Sequence, residues 1–476
     1  MAKLKYKIIE KIIVIFMVAI MLSGCSNNEN LDNILPALES NNLPTTEDNK
    51  ELSGKLTVST VFDGYIDIFA EEFMDMHPNV EIIVERPDDN KVSYMYRIAI
   101  DLLSGTASDL IDLSGLDINH KAQSGLLVNI YDYMNNDPDF DKSDYYTNIF
   151  EAMEFEDGLY AMPLSFNYDM VYISKPLAEN IGLDYENYKN INYTEMLDIY
   201  EKVKKTHPSP DKFYLMPGVT KSSFFDYESV DFFDIETGDA SFDSDEFLQH
   251  LKFTKKLNTV YHPETMEWDF TRVGVRNEDF LIEDFMFSKF TTSNIDMKNM
   301  MVEFENTINP IPFLSSKGKA PFSNLLSTYA ISNNSKNKEL AWEFLKYCAS
   351  AKELPAFESE EDEEKYSFMF LGNIPINIEN FYTYFRHSFE SEVKWYEERG
   401  LEGNWKFKNE EEKEKMFEDT LNQIHEWNQE RNVLVGNLEL TDLLREELDN
   451  YYYYDLATAE ETAKIIQNKV FTYLNE

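Results

Sequence analysis

From residue 55 onward the sequence alternates between two hydrophobic periods, and that alternation restricts the fold more than any other feature of the chain. Leu56 to Val61 is a β-rich run closed by Asp63-Gly64, after which Tyr65, Phe69 and Phe73 recur at helical spacing until Pro78. Val80, Ile82 and Val84 then alternate as a strand, a second helix covers about 92 to 104 and stops at Gly105, and Leu110 to Leu113 is a short apolar strand. Strand, helix, strand, helix, strand predicts an α/β fold with a parallel sheet and right-handed crossovers. Ligands of such sheets sit beyond the carboxyl ends of the strands. Here those ends are the segments Thr60 to Gly64 and Ser114 to Asp117.

At 476 residues the chain exceeds one ordinary domain, so two or three are expected. Downstream, a turn at Asp157-Gly158 opens an extended stretch to Phe166, and Tyr193 to Lys205 reads as an amphipathic helix. Glu246 to Leu257 reads as another, opened by a capping box Asp243-x-x-Glu246. Phe285 to Phe290 looks strand-like, Lys338 to Ala349 is a helix with Asn337 placed as its N-cap, and a last helix starts at Thr458-x-x-Glu461. No internal repeat is visible.

The N-terminus states a destination. Lys3, Lys5, Lys7 and Lys11 precede an uncharged apolar run from Ile12 to Leu22. Eleven residues are too few to cross a bilayer core, which takes about 20, so the run reads as the h-region of a secretory signal. The following Leu22-Ser23-Gly24-Cys25 resembles the lipobox of bacterial lipoproteins, which implies cleavage before Cys25 and a diacylglycerol on its thiol. Residues 26 to 50 are polar, contain Pro36 and Pro44, and read as a solvated tether. The other cysteine, Cys348, sits at helical spacing with Leu340, Phe344 and Leu345 and is expected to be a buried thiol.

Charge narrows the partners. The formal net charge is −45, and loss of residues 1 to 24, with four Lys and one Glu, makes it −48. So acidic a surface repels phosphate backbones and argues against nucleic acid. Asp137-x-Asp139-x-Asp141 resembles the start of an EF-hand loop, but Lys142 stands at the Gly position and Asn148 at the final Glu position, so no calcium site is expected. The seven His include no HExxH and no i, i+4 pair, so no zinc site or other cofactor is expected. Glu358 to Glu364 reads as a solvated acidic stretch.

Taken in order, the landmarks resemble the carbohydrate-type extracellular solute-binding proteins of ABC importers. Lys55 to Val84 resembles that family's opening strand and helix; Leu103-Ser104-Gly105-Thr106-Ala107-Ser108-Asp109-Leu110 resembles its "L.SG..PDV", and Gly125-Leu126-Leu127 its "GLL.D". Asp157 to Lys175 is similar to its crossover segment, Ala330 to Leu345 is the closest match, and Gly372-Asn373-Ile374-Pro375-Ile376-Asn377 resembles its "G.IPV". The resemblance implies two α/β lobes joined by crossing strands, with an interlobe ligand cleft that closes by hinge motion. By position the crossings would be Pro163 to Tyr172 and Asn309 to Phe313. Lobe one would hold 52–162 with 314–340, and lobe two 163–313 with 341–476. Ser108, Ile173-Ser174 and the long acidic segment 355 to 430 depart from the family pattern.

A sugar presents hydroxyls around apolar faces, so its site needs carboxylates and amides together with aromatic rings. Phe62 and Asp63 follow the first strand, although Asp63 can equally cap the next helix. The resemblance places Asn167 in the first crossing and Phe290 at an aromatic-platform position; each is as readily a solvated strand residue or a core ring. Ser114 and Asp117 follow the third strand, and Trp405 and Tyr451 to Tyr454 are further rings without positional support. No catalytic constellation is expected. The expected protein is a lipid-anchored receptor on the outer face of a bacterial cell membrane, presenting a small solute, chiefly a carbohydrate, to an ABC permease. A receptor for another polar solute or short peptide, or a secreted glycosidase needing only two suitably spaced carboxylates, fits the same features.

Overall fold

The computed structural model describes residues 52–475 except for the longer stretches 207–220, 269–286, 292–310, 351–372 and 400–406 and several short pieces, among them 62–64, 87–90 and 322–326. Cys25, the tether, Phe62, Asp63, Trp405 and the Glu358 to Glu364 run lie outside the described residues. In chain order the elements that build the two lobes begin with β1 (Gly54–Ser59), α1 (Tyr65–Met76), β2 (Val80–Glu85), α2 (Lys91–Ser104), β3 (Leu110–Asp112) and α3 (Ile118–Gln123). Next come β4 (Met162–Pro163), β5 (Ser165–Phe166), β6 (Asp169–Ile173), β7 (Ile191–Asn192), α4 (Tyr193–Thr206), α5 (Asp245–Thr254), β8 (Phe287–Thr291), β9 (Ile311–Leu314) and β10 (Thr328–Ile331). The remainder is α6 (Lys338–Ala349), β11 (Ile374–Pro375), α7 (Ile378–Arg399), α8 (Glu410–Gln429), α9 (Leu438–Tyr452) and α10 (Ala459–Asn475).

The first sheet has the order β2-β1-β3-β10-β4 and the second β8-β6-β9-β7. The α/β expectation holds: β1 runs parallel to β2 and β3, with Val58 opposite both Val84 and Leu110. The first core joins Leu56, Val58, Phe69, Phe73, Ile98, Leu102 and Ile111 to Phe344, Leu345 and Cys348 of α6. The Phe73 and Phe344 rings meet at 5.3 Å, nearly edge to face. Cys348 is buried there, as its helical spacing predicts.

Pairing registers locate the edge on which the lobes face each other. β10 is antiparallel to β3 and β4, with Tyr329 opposite Asp112 and Met162. The ends of β1, β3 and β4 and the start of β10 therefore lie along one edge. The chain leaves lobe one from that edge after Pro163 and enters β6 at Asp169; it returns from β9, ending at Leu314, to β10 at Thr328. β9 is antiparallel to β6 and parallel to β7, so the carboxyl ends of β7 and β9 share the crossing edge of the second sheet. On β6, side-chain alternation sends Met170 into the lobe-one core and Val171 into a lobe-two core.

Two sequence expectations are corrected. Residues after 340 do not pass directly to lobe two: Ala341, Phe344 and Leu345 of α6, Ile374 of β11, Phe381, Phe385 and Phe389 of α7 and Phe417 and Ile424 of α8 all belong to the lobe-one core. Their apolar stripes match that core's open face, and α9 and α10 alone among the later helices pack with Phe232, Phe242, Phe247 and Leu251 in lobe two. The cap of α5 is Ser244, whose side chain accepts from Phe247 N at 3.3 Å, one residue beyond the expected Asp243. The capping box on α10 forms as expected, with Glu461 N donating to Thr458 Oγ1 at 3.2 Å and Thr458 N to Glu461 Oε2 at 2.9 Å. Asn337 stands before α6 but makes no side-chain cap; its amide reaches Asp109 Oδ1 at 3.4 Å.

Candidate functional site

The lobe-one edge is a hydrogen-bonded set at the ends of β1 and β3. Thr60 Oγ1 donates to Asp112 Oδ2 at 2.9 Å, and Ser114 N donates to Asp112 Oδ1 at 2.9 Å. Ser114 Oγ also donates to that carboxylate and accepts from Thr328 N at 3.1 Å. Ser114, a predicted contact residue, thus ties β3 to β10, and Asp112 carries the link on to the end of β1. Beneath it the buried Tyr94 hydroxyl serves the carbonyls of Ser59 (2.9 Å) and Asp112 (3.1 Å), which pins β1 to β3.

Asp117 begins α3 on the same edge. His120 N donates to its Oδ1 at 3.2 Å, and His120 Nδ1 lies 2.6 Å from its Oδ2. Tyr473, near the end of α10 in lobe two, donates its hydroxyl to Asp117 Oδ2 and sets its ring 5.1 Å from His120. Burial alone would raise the Asp117 carboxyl, but the hydrogen bonds from His120 and Tyr473 outweigh it and hold the group below the ordinary carboxylate range. This contact joins the two lobes.

The lobe-two edge carries a second set. Ser315 Oγ donates to Asp231 Oδ1 and Lys317 N to Asp231 Oδ2, both at 2.8 Å, immediately after β9. Ser316 Oγ lies 3.0 Å from Glu228 Oε2 and 2.8 Å from Thr194 Oγ1 at the start of α4. Glu228 is 3% exposed, and His250 of α5 stands 3.5 Å from its Oε2. Burial pushes the Glu228 carboxyl up to about 8, with Asp231 and Glu246 adding to the rise and Ser316 opposing it, while burial pushes His250 down. At neutral pH both are uncharged, so their proximity is that of a buried acid beside a neutral imidazole and not an ion pair.

Asn167 lies between the lobes, just before β6, and its Nδ2 donates to Asn373 Oδ1 at 2.5 Å. Phe290 stands on β8 opposite Met170. Tyr451 and Tyr452 belong to the lobe-two core. Of the predicted residues, then, Ser114 and Asn167 come to the crossing edge, and Asp117 reaches it with a partner from the far end of the chain. Asp112, Thr328, Glu228, Asp231, Asn373 and Tyr473 were not singled out. Asp112 was hidden in the apolar strand Leu110 to Leu113, and Asn373 lay inside the "G.IPV"-like segment as the one available signal. A groove of about 870 Å³ on lobe one, lined by Val128, Tyr133, Asp137, Tyr160, Asn333 and Trp342 among others, lies toward the opposite edge of the sheet, where β10 ends beside the start of β3. Its Asp137 is held by Trp342 Nε1 at 2.7 Å and Lys346 Nζ at 2.6 Å.

A family model described as bacterial extracellular solute-binding protein matches residues 59–354. Among solved structures, the sugar-binding protein MalE from Xanthomonas citri is similar at TM-score 0.57 and 12% identity, covering 89% of this chain and 98% of its own. An ABC substrate-binding protein from Listeria monocytogenes in complex with cycloalternan is similar at TM-score 0.53 and 13% identity, covering 89% and 100%. A solute-binding protein from Thermotoga lettingae bound with α-D-tagatose is similar at TM-score 0.51 and 15% identity, with the same coverage. Among curated proteins no sequence matches.

Proposed function

The chain belongs to the bacterial extracellular solute-binding protein family, and from that premise we propose that it is an exported, lipid-anchored receptor that closes over a small carbohydrate and presents it to an ABC permease. In this reading residues 1–24 are the signal peptide, Cys25 carries the lipid, and 25–51 tether the two lobes to the membrane. The observation that carries the solute class is the chemistry of the crossing edge: amides and hydroxyls at Asn167, Asn373, Ser165 and Thr328, flanked by the carboxylates of Asp112 and Asp117. Groups of these kinds pair with sugar hydroxyls, which both donate and accept. Carbohydrates held by two similar structures, cycloalternan and α-D-tagatose, support the same class.

Hinge closure follows from the topology. Described connections cross between the lobes at 163–169 and 314–328, and the chain passes over again from α8 to α9, where Val433–Leu434 pairs with Ala320–Pro321, so the lobes can rotate about this set of strands without breaking either core. A solute bound to both edges favours the closed arrangement by its differential affinity. Phe62, Asp63 and Phe290 remain proposed contacts alongside Asn167 and Ser114.

The test is to incubate the purified domain with candidate oligosaccharides, follow the thermal transition and assay for cleavage. Saturable stabilisation without product is expected. Turnover would replace the receptor by a glycosidase, and stabilisation by peptides alone would replace the solute class. Asn167→Ala should weaken solute binding by roughly 1–3 kcal/mol, the cost of an unmet buried hydrogen bond; unchanged affinity would remove Asn167 from the site.

A further inference from the structure

β5 and β11 form a short antiparallel ribbon at the crossing, with Phe166 opposite Ile374 and Ser165 opposite Pro375. Phe166 and Ile374 both enter the lobe-one core. Alternation therefore places Ser165, Asn167 and Asn373 on the other face. That face is polar, yet each of the three is buried, Asn373 at 2% and Ser165 at 1% exposed. Thr328, at the start of β10 opposite Pro163, is equally buried.

Three atoms of this set have no hydrogen-bond partner: Asn373 Nδ2, Ser165 Oγ and Thr328 Oγ1. Asn373 Oδ1 is engaged, because it accepts from Asn167 Nδ2. The amide is thus oriented by one bond while its two N–H donors go unused. Buried polar atoms are almost always paired, since each unpaired one gives up its hydration without return. Three on adjoining segments, where the chain crosses between lobes, mark a place that a polar molecule completes. None of the three side chains is ionisable, and the Asp112 carboxylate, joined to Thr328 through Ser114, disfavours an anion, so the complementary molecule is uncharged and rich in oxygens that accept and hydroxyls that donate.

We propose that Asn373, with Ser165 and Thr328, forms the floor of the solute site at the pivot, donating its free amide hydrogens to an oxygen of an uncharged polyhydroxylated solute. This deepens the receptor reading and rests on it. Asn167 is then a positioning residue as well as a contact: its Nδ2 holds Asn373 Oδ1 and so turns the Asn373 donors toward the solute. Because Ser165 and Thr328 belong to the crossing segments 163–169 and 314–328 and Asn373 precedes the strand paired with the first of them, bound solute also joins the hinge strands, and site occupancy is read directly by the element that bends.

The experiment uses the mature chain with maltose, maltotriose and cellotriose as probes, by calorimetric titration, beside thermal unfolding without sugar. Asn373→Asp keeps the acceptor for Asn167 and removes the donors; Ser165→Ala removes an unpaired hydroxyl. For a sugar that the wild type binds, each variant is expected to bind about tenfold more weakly or worse. Ser165→Ala should leave the unliganded Tm unchanged or raised, since its hydroxyl makes no bond in the unliganded fold. Wild-type binding with undiminished affinity in both variants overturns the assignment and leaves the receptor reading standing. A wild type that binds no uncharged sugar overturns both.

Discussion

Replacing Glu228 by Gln should remove a pH dependence from the stability of lobe two. In the unfolded chain this glutamate ionises near 4.5; in the fold, burial keeps it protonated up to about 8. Between those values the native state binds the extra proton, so stability falls as pH rises through the window. At pH 7 the penalty corresponds to holding one proton across about 2.5 pH units, on the order of 3 kcal/mol. Gln retains the shape and an acceptor for Ser316 and carries no charge to desolvate. The variant should match wild type near pH 4.5 and exceed it by about 3 kcal/mol at pH 7. Urea unfolding of both proteins at a series of pH values measures this. The difference between them is the readout, because His250, pushed down by burial, acts in the opposite sense below its ordinary range and contributes to both proteins. The groups facing Glu228 are Asp231, Glu246, His250 and Ser316, and only Glu228 changes. A difference that stays constant from pH 5 to pH 8 refutes the reasoning, as does a variant that is the less stable at pH 8.

Two further substitutions test how the lobes are held. Tyr473→Phe keeps the ring against His120 and deletes the hydrogen bond to Asp117, a charge-assisted bond between lobes of about 1.5–3 kcal/mol; solute affinity should drop about tenfold and X-ray scattering should show a more open particle, whereas an unchanged profile and affinity would remove this contact from closure. Asp109→Ala removes the acceptor that joins Thr57 (N at 2.9 Å, Oγ1 at 3.0 Å) to Ser335 Oγ (2.6 Å) and so ties β1 to the segment before α6; it should destabilise lobe one by about 3 kcal/mol in urea unfolding, and a loss below about 0.5 kcal/mol would show that the network is replaced by water.

How much of this could be read beforehand differs by kind of interaction. The stripe Tyr65, Phe69, Phe73 and the capping box Thr458-x-x-Glu461 are local patterns, and both led to the helices now seen as α1 and α10. The cap of α5 was misplaced by one residue because Asp243 and Ser244 are both good caps, and backbone geometry chose between them. Asn337 was read as a cap, but the tertiary fold brings Asp109 within reach of its amide. The site is mostly of this second kind. Asn167 was singled out by its expected place in a crossing, whereas its partner Asn373 is 206 positions away and the pair exists only because β5 and β11 align. Glu228 left no trace in the pattern at all: a glutamate is ordinarily solvated, and only enclosure by α5 and the turn after β9 makes it an acid that keeps its proton.

Hydrophobic period is a property of neighbouring residues, so the alternation from residue 55 was enough to specify the first strands and helices and the parallel pairing of β1 with β2 and β3. The order of landmarks was enough for the family. What it could not allot was the stretch after residue 340, whose apolar stripes say that a face is buried and not against which core. Tertiary packing made that choice, sending α6, α7 and α8 to lobe one and α9 and α10 to lobe two. By carrying Tyr473 back to Asp117 it also joined the two lobes through residues 356 positions apart. Burial and long-range pairing are collective properties of the folded chain, and these two decide which polar atoms are enclosed and with what they pair.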